Sequence, residues 1–69
     1  MTRKELQKVK ESYKELAQSV LASDSPYAQI VGVCGEIALE ECYNHHERGQ
    51  RIWAFFTALE EEGKACTKQ

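Results

Sequence analysis

Long apolar segments are missing from this sequence. No run of about 18 apolar residues occurs in the chain, which argues against a helical membrane span. The first residues, Met1–Leu6, do not lead into an apolar signal core. We therefore expect a protein that is not secreted, does not enter a membrane and resides in the cytoplasm.

An excess of charge of either sign is also missing. Nine basic and 11 acidic residues leave a formal net charge of −2, which by itself does not indicate nucleic acid or a membrane as a partner. The hydrophobic fraction of 42% and the charged fraction of 29% are ordinary for a globular protein, so the composition argues against wholesale disorder.

Cysteines are few and odd in number. Cys34, Cys42 and Cys66 have no framework spacing. If one helix carries Cys34 and Cys42, they lie about 12 Å apart along its axis, too far for a disulfide. Reduced thiols in a cytosolic protein are the simplest interpretation.

The length of 69 residues predicts a single domain, 1–69, near the lower limit for independent folding. Chains this small usually need a disulfide, a metal, very good helix packing or a second copy. A lone subunit has too few side chains to cover all of its large apolar residues, so we expect a homodimer. The residues expected to lack cover are Ile30, Val33, Leu39, Trp53 and Phe55.

A first helix is predicted over residues 3–22. Thr2 and Glu5 form a T-x-x-E capping box at its start. Apolar residues then follow at alternating steps of three and four, which we interpret as one face of a small bundle rather than a coiled coil. These residues are Leu6, Val9, Tyr13, Leu16 and Val20.

A second helix is predicted over residues 26–43. Ser25 is a favourable N-cap, and Pro26 suits the first helical position. Apolar residues occupy most of its circumference, which predicts that it is the central element, covered on more than one side. Gly32 and Gly35 suggest a close approach by a neighbouring backbone.

A third helix is predicted over residues 50–62. Ile52, Phe55, Phe56 and Leu59 form its apolar stripe, and Trp53 lies about 100° from Ile52 at the margin of that stripe. Gly63 is expected to end the helix, and residues 64–69 to form a frayed tail.

The start of this third helix is ambiguous in the sequence. Asn44 and Glu47 could cap a helix that begins at His45, or residues 44–50 could be a loop. The overall prediction is an all-α domain, either three helices or a hairpin with a broken second arm, that forms a homodimer.

Metal binding is a weak alternative. Cys42, His45 and His46 are the residues that come closest to a cluster of metal ligands. A zinc site needs four ligands, however, and one helical turn supplies only two. Cys42 and His46 also lack the oxyanion donors and the cleft that nucleophilic catalysis needs. We therefore expect no metal, no cofactor, no catalytic residue and no enzymatic activity.

Basic residues provide a second candidate function. A helical oligomer could bind nucleic acid or a small anionic ligand between its subunits through lysines and arginines. The second and third predicted helices are acidic, however, which disfavours this interpretation. The candidate residues are Arg3, Lys10, Lys14, Arg48 and Arg51.

Protein binding is the favoured function. Trp and Tyr are enriched at interface hot spots, and Trp53 is off the main stripe, although it could instead be buried under the first helix. We expect a small non-catalytic regulator that binds and modulates or inhibits a larger protein, a profile common in phages and mobile elements. The predicted contact residues are Trp53, Tyr43, Phe56, Val33 and Leu39.

Overall fold

The described part of the chain is built from helices joined by short turns. A computed structural model describes the backbone of residues 2–67 and the side chains of residues 2–64. The predicted all-α class is confirmed there, with no strand. None of the helices combines the length and apolar character that crossing a bilayer requires. The helices are α1 (Arg3–Ser12), α2 (Lys14–Ala22), α3 (Pro26–Leu39) and α4 (His45–Thr67).

The predicted first helix is interrupted at Tyr13, so α1 and α2 replace the single helix expected over residues 3–22. The Thr2 cap is confirmed, since its hydroxyl accepts a hydrogen bond from the Glu5 N–H at 3.2 Å. The Ser12 hydroxyl donates to the Val9 carbonyl at 2.6 Å. A serine that bonds back to the preceding turn competes with the helical ladder and bends it, which accounts for the break.

Helix α3 begins as predicted and ends early. Pro26 occupies the first turn, but the Ser25 side chain makes no capping bond; instead the Ser25 N–H donates to the Ser23 hydroxyl at 3.1 Å. Glu40 adopts extended backbone and ends the helix at Leu39, so the expected end at residue 43 is wrong. The Arg48 guanidinium stabilises this ending because it donates two hydrogen bonds, of 2.8 and 3.2 Å, to the Glu40 carbonyl.

Helix α4 is longer than predicted at both ends. The Asn44 side-chain oxygen accepts from the Glu47 N–H at 2.8 Å, so the helix begins at His45 and a loop over residues 44–50 is wrong. The helix passes through Gly63 to Thr67, and no described glycine has positive φ. The expected C-cap at Gly63 and the frayed tail are therefore wrong through residue 67; residues 68 and 69 lie outside the described range.

The central element is α4 rather than α3. Helix α4 packs along both α1 and α2, whereas α3 contacts only α2 and α4. Phe55 is fully enclosed, which corrects the expectation that a lone subunit could not bury it. Small alanines beside Phe55 allow α2 and α4 to pack closely around its ring. The buried side chains are Ala17, Val20, Ile37, Ala54, Phe55, Ala58 and Leu59.

Helix α3 has little cover. Ile37 is its only fully buried residue, while Ile30 and Val33 are half-buried against the core. A Cβ atom added at Gly32 or Gly35 would meet no heavy atom within 4 Å, so the predicted close approach of a neighbouring backbone is wrong. With two neighbours only, α3 keeps much of its apolar circumference in solvent.

We expect Leu59→Ala to lower the free energy of unfolding by about 2–5 kcal/mol, because it leaves a cavity in the core. Leu39→Ala makes the same chemical change at a side chain that is 81% exposed, and it should cost less than about 0.5 kcal/mol. Urea unfolding followed by circular dichroism measures both. Equal losses for the two variants would contradict this arrangement of the core.

The N-cap residues of α3 and α4, Ser25 and Asn44, provide a second matched pair of substitutions. Asn44→Ala removes a formed capping bond and should destabilise the chain by about 1 kcal/mol. Ser25→Ala removes a side chain that makes no capping bond and should change stability by a few tenths of a kcal/mol at most. The same urea titration compares them, and a larger loss for Ser25→Ala would contradict the observed caps.

Candidate protein-binding surfaces

The outward side of α4 carries two large aromatic side chains. Trp53 is 54% exposed and Phe56 is 47% exposed, one turn apart on the side of the helix that faces away from Ala54 and Ala58. The expectation that Phe56 belongs to the covered stripe is therefore only half met. Its ring leans on Phe55, with centroids 5.9 Å apart, and presents the rest of its surface to solvent.

Trp53 lies at the edge of α1 rather than beneath it. On one side of the ring is a groove formed with Arg3, Leu6 and Lys10. On the other side is a shallow depression that reaches back along α4 to His46. The alternative in which Trp53 is buried under the first helix is therefore wrong. The indole has apolar and basic neighbours and an open outer face.

The exposed apolar residues of α3 form the second candidate surface. Tyr27 is 80% exposed, Val31 is 55% exposed and Leu39 remains open at the end of the helix. Because the second predicted helix was expected to be covered on more than one side, Tyr27 and Val31 were not among the predicted contact residues. Their spacing of four residues marks a shared helix side, but spacing alone cannot tell a covered side from an open one.

The structure does not bring the five predicted contact residues together. Trp53 and Phe56 share the outer side of α4. Val33 and Tyr43 line a cleft near the junction of α1 and α2, and both are half-buried. Leu39 stands apart at the end of α3. The residues that sequence analysis grouped are thus spread over three places.

Tyr43 is engaged within the chain. The Arg51 guanidinium carbon lies 4.1 Å from the centre of its ring, a cation–π contact. Partial desolvation raises the pKa of the Tyr43 hydroxyl, and the positive charge of Arg51 opposes that rise. Among the described side chains, Arg51 Nε is the one buried nitrogen or oxygen atom without a hydrogen-bond partner. This stacking connects the α3–α4 turn to α4.

The basic residues predicted to bind an anion lie in two places, along α1 and α2 and near the α3–α4 turn, and most of them are engaged within the chain. Lys10 pairs with Glu61 at 2.9 Å and is largely covered. Arg48 binds the end of α3, and Arg51 stacks on Tyr43. The other two predicted residues, Arg3 and Lys14, are exposed. A continuous basic surface does not form from these side chains.

The predicted metal cluster and cysteine–histidine pair do not share a helix. Cys42 lies in the turn after α3, whereas His45 and His46 begin α4. The i,i+4 relation that would align Cys42 with His46 therefore does not apply, nor do Cys34 and Cys42 share a helix. Across the described residues, no group of three or more histidine, cysteine or acidic side chains is arranged to hold a metal ion.

The described cysteines differ in environment. Cys34 and Cys42 are both free thiols, the first half-buried and the second exposed. Burial raises the pKa of the Cys34 thiol, so this group is mostly protonated near neutral pH and a weak nucleophile. Cys66 lies outside the described side chains.

Comparison of the chain with protein-family models, with curated proteins and with solved structures gives no match. The geometry of the two surfaces is therefore the basis for proposing a function.

Under limiting alkylation near neutral pH, we expect Cys42 to be modified before Cys34. Cys34 is partly covered, and its raised pKa keeps the reactive thiolate scarce until the pH rises towards that value. Peptide mass spectrometry after timed quenching gives the order. Unfolding in urea should bring the two rates together, whereas faster modification of Cys34 in the native protein would contradict its placement.

Proposed function

We propose that this chain is a non-catalytic interaction module that binds a larger protein partner, modulates or inhibits it, and acts as a homodimer. One observation carries the proposal: among the described side chains, the exposed large apolar residues are as numerous as the buried core residues. Where such residues lie side by side, as Trp53 and Phe56 do on α4 and Tyr27 and Val31 do on α3, exposed apolar surface marks an interaction site. The exposed set is Leu16, Leu21, Tyr27, Val31, Leu39, Trp53 and Phe56.

The overall dimensions support the same conclusion. The chain exposes 5171 Å², whereas a compact monomer of 7.9 kDa would expose about 4,400 Å². Its radius of gyration is 12.2 Å, against about 11 Å for a compact chain of this length. The principal extents of 38 × 26 × 13 Å describe a slab. A slab offers two broad faces and little interior.

The α3 face is the proposed site for the larger partner. Tyr27 and Val31 lie one turn apart and are both exposed, whereas the exposed polar residues Gln29 and Glu36 lie on roughly the opposite side of the helix. An exposed apolar strip along a helix is the form in which a helix docks into a groove on another protein. Tyr27 is also of the type that contributes strongly at interface centres.

Nucleic-acid binding receives less support. Three of the five basic residues that would neutralise phosphates already make contacts within the chain: Lys10 with Glu61, Arg48 with Glu40 and Arg51 with Tyr43. To bind phosphate, each would have to exchange an existing contact. Exposed apolar side chains outnumber the basic side chains that remain exposed.

The test is affinity capture from the source cells followed by titration with the purified captured protein. We expect Val31→Glu to weaken binding at least tenfold, because it places a charge in the apolar strip. Gln29→Glu introduces the same carboxylate at an exposed polar position of α3 and should leave binding nearly unchanged. Circular dichroism should show that both variants are folded.

Nuclease treatment and salt distinguish the alternative. Capture that resists nuclease and depends weakly on salt supports a protein partner. Capture that is lost with nuclease and falls steeply with salt would instead indicate nucleic acid and would overturn the proposal. Equal binding by Val31→Glu and the wild-type chain would exclude the α3 face.

A further inference from the structure

The outward side of α4 has the spacing of a helix-pairing seam. Its residues follow one another at steps of three and four over about 26 Å of helix, the pattern by which two helices interlock side chains. We call this set the outer seam. It comprises His46, Gly49, Trp53, Phe56, Glu60 and Gly63.

Residue size varies along the outer seam in an ordered way. The two aromatic residues, Trp53 and Phe56, lie at its middle, with a glycine on either side. A Cβ atom built at Gly49 or Gly63 would meet no heavy atom within 4 Å. The glycine positions are therefore recesses between larger side chains of the outer seam.

We propose that a second copy of the chain covers the outer seam, with the two α4 helices antiparallel about a two-fold axis between Ala54 and Phe55. This inference rests on the homodimer of the proposed function and specifies its geometry. The register brings Trp53 against Phe56 of the other copy. It also places Gly49 opposite Glu60, and His46 opposite Gly63, so that each recess faces a larger side chain.

The parallel arrangement is disfavoured by the same residues. It would place Glu60 against Glu60, two like charges, and Gly49 against Gly49, two recesses that leave a void. Side-chain packing in helix pairs requires large residues to fill facing holes. In the antiparallel register each glycine of the outer seam therefore faces a larger side chain, whereas in the parallel register each glycine faces another glycine.

Charge along α4 favours the antiparallel direction as well. The one acidic residue of the outer seam, Glu60, lies in its C-terminal half and pairs with Lys64, while the two glutamates that follow it bond to side chains of α1 and α2. The N-terminal half of the outer seam carries His46 and no acidic residue, and the first turn of a helix has positive potential. Arg3 of α1, exposed beside Trp53, adds positive charge there. A reversed copy brings its Glu60 to this end.

The chain as a whole exposes about 750 Å² more surface than a compact monomer of this mass, from the values given above. Covering the outer seam would remove part of this excess and leave the apolar strip of α3 available for the larger protein, so both contacts can coexist.

Disulfide trapping tests the register. In a chain with Cys34→Ala, Cys42→Ser and Cys66→Ser, we would introduce Gly49→Cys and Glu60→Cys on separate chains of different tag length. Mild oxidation of the mixture should link the two different chains. Either variant alone should link poorly, because two copies of position 49 lie about 16 Å apart in this register, beyond disulfide reach.

The outcomes separate the alternatives. Efficient linking of Gly49→Cys with itself would show a parallel pair and overturn the proposal. So would a chain that stays monomeric by light scattering at high micromolar concentration. Phe56→Glu should shift the wild-type chain from dimer to folded monomer, whereas Leu39→Glu, outside the outer seam, should leave the dimer intact.

These measurements also distinguish failure of this inference from failure of the proposed function. If the chain is monomeric while Val31→Glu still abolishes partner binding, the pairing alone is wrong. If the antiparallel disulfide forms but no protein binds through α3, the pairing stands and the proposed partner function is wrong.

Discussion

The packing of Phe55 is the contact on which the rest of the fold depends. Its ring lies where α1, α2 and α4 meet, with the Tyr13 ring edge-on at 5.7 Å and alanines of α2 and α4 around it. Removal of one large aromatic side chain from water contributes several kcal/mol, a large part of what so small a core can supply. The break at Tyr13 belongs to the same arrangement, because it divides α1 from α2 at the level of this contact.

A core of this kind leaves two surfaces uncovered, and their chemistry differs. The strip on α3 is apolar and carries a large aromatic side chain, Tyr27, at its N-terminal end. The outer seam of α4 has a glycine on either side of its two aromatic residues and changes from histidine to glutamate along its length. This difference is the reason for proposing an unlike partner for the first surface and another copy of the chain for the second.

Three of the five basic residues that were predicted to form a recognition site instead make contacts within the chain. Lys10 pairs with Glu61, the Gln18 amide donates to Glu62 at 2.8 Å, and Arg48 binds the end of α3. The first two of these contacts connect positions far apart in sequence. The spacing of lysines along one helix therefore cannot show that an acidic or polar partner lies on another helix. This is why the predicted basic surface is not continuous.

Local sequence signals were enough to predict the helical class and the starts of α1 and α3, and they offered Asn44 as one of two possible starts for α4. Thr2 and Asn44 cap the residues three positions ahead of them, and Pro26 sets its own backbone angle; these are local interactions, readable within one turn. Tertiary structure alone decided which sides of α3 and α4 are covered, where α3 ends, and that α4 rather than α3 is central. Those outcomes depend on contacts between helices, such as Arg48 with Glu40 and Tyr13 with Phe55. An apolar pattern predicts which side of a helix is suited to burial, but it does not show whether a neighbouring helix lies there to bury it.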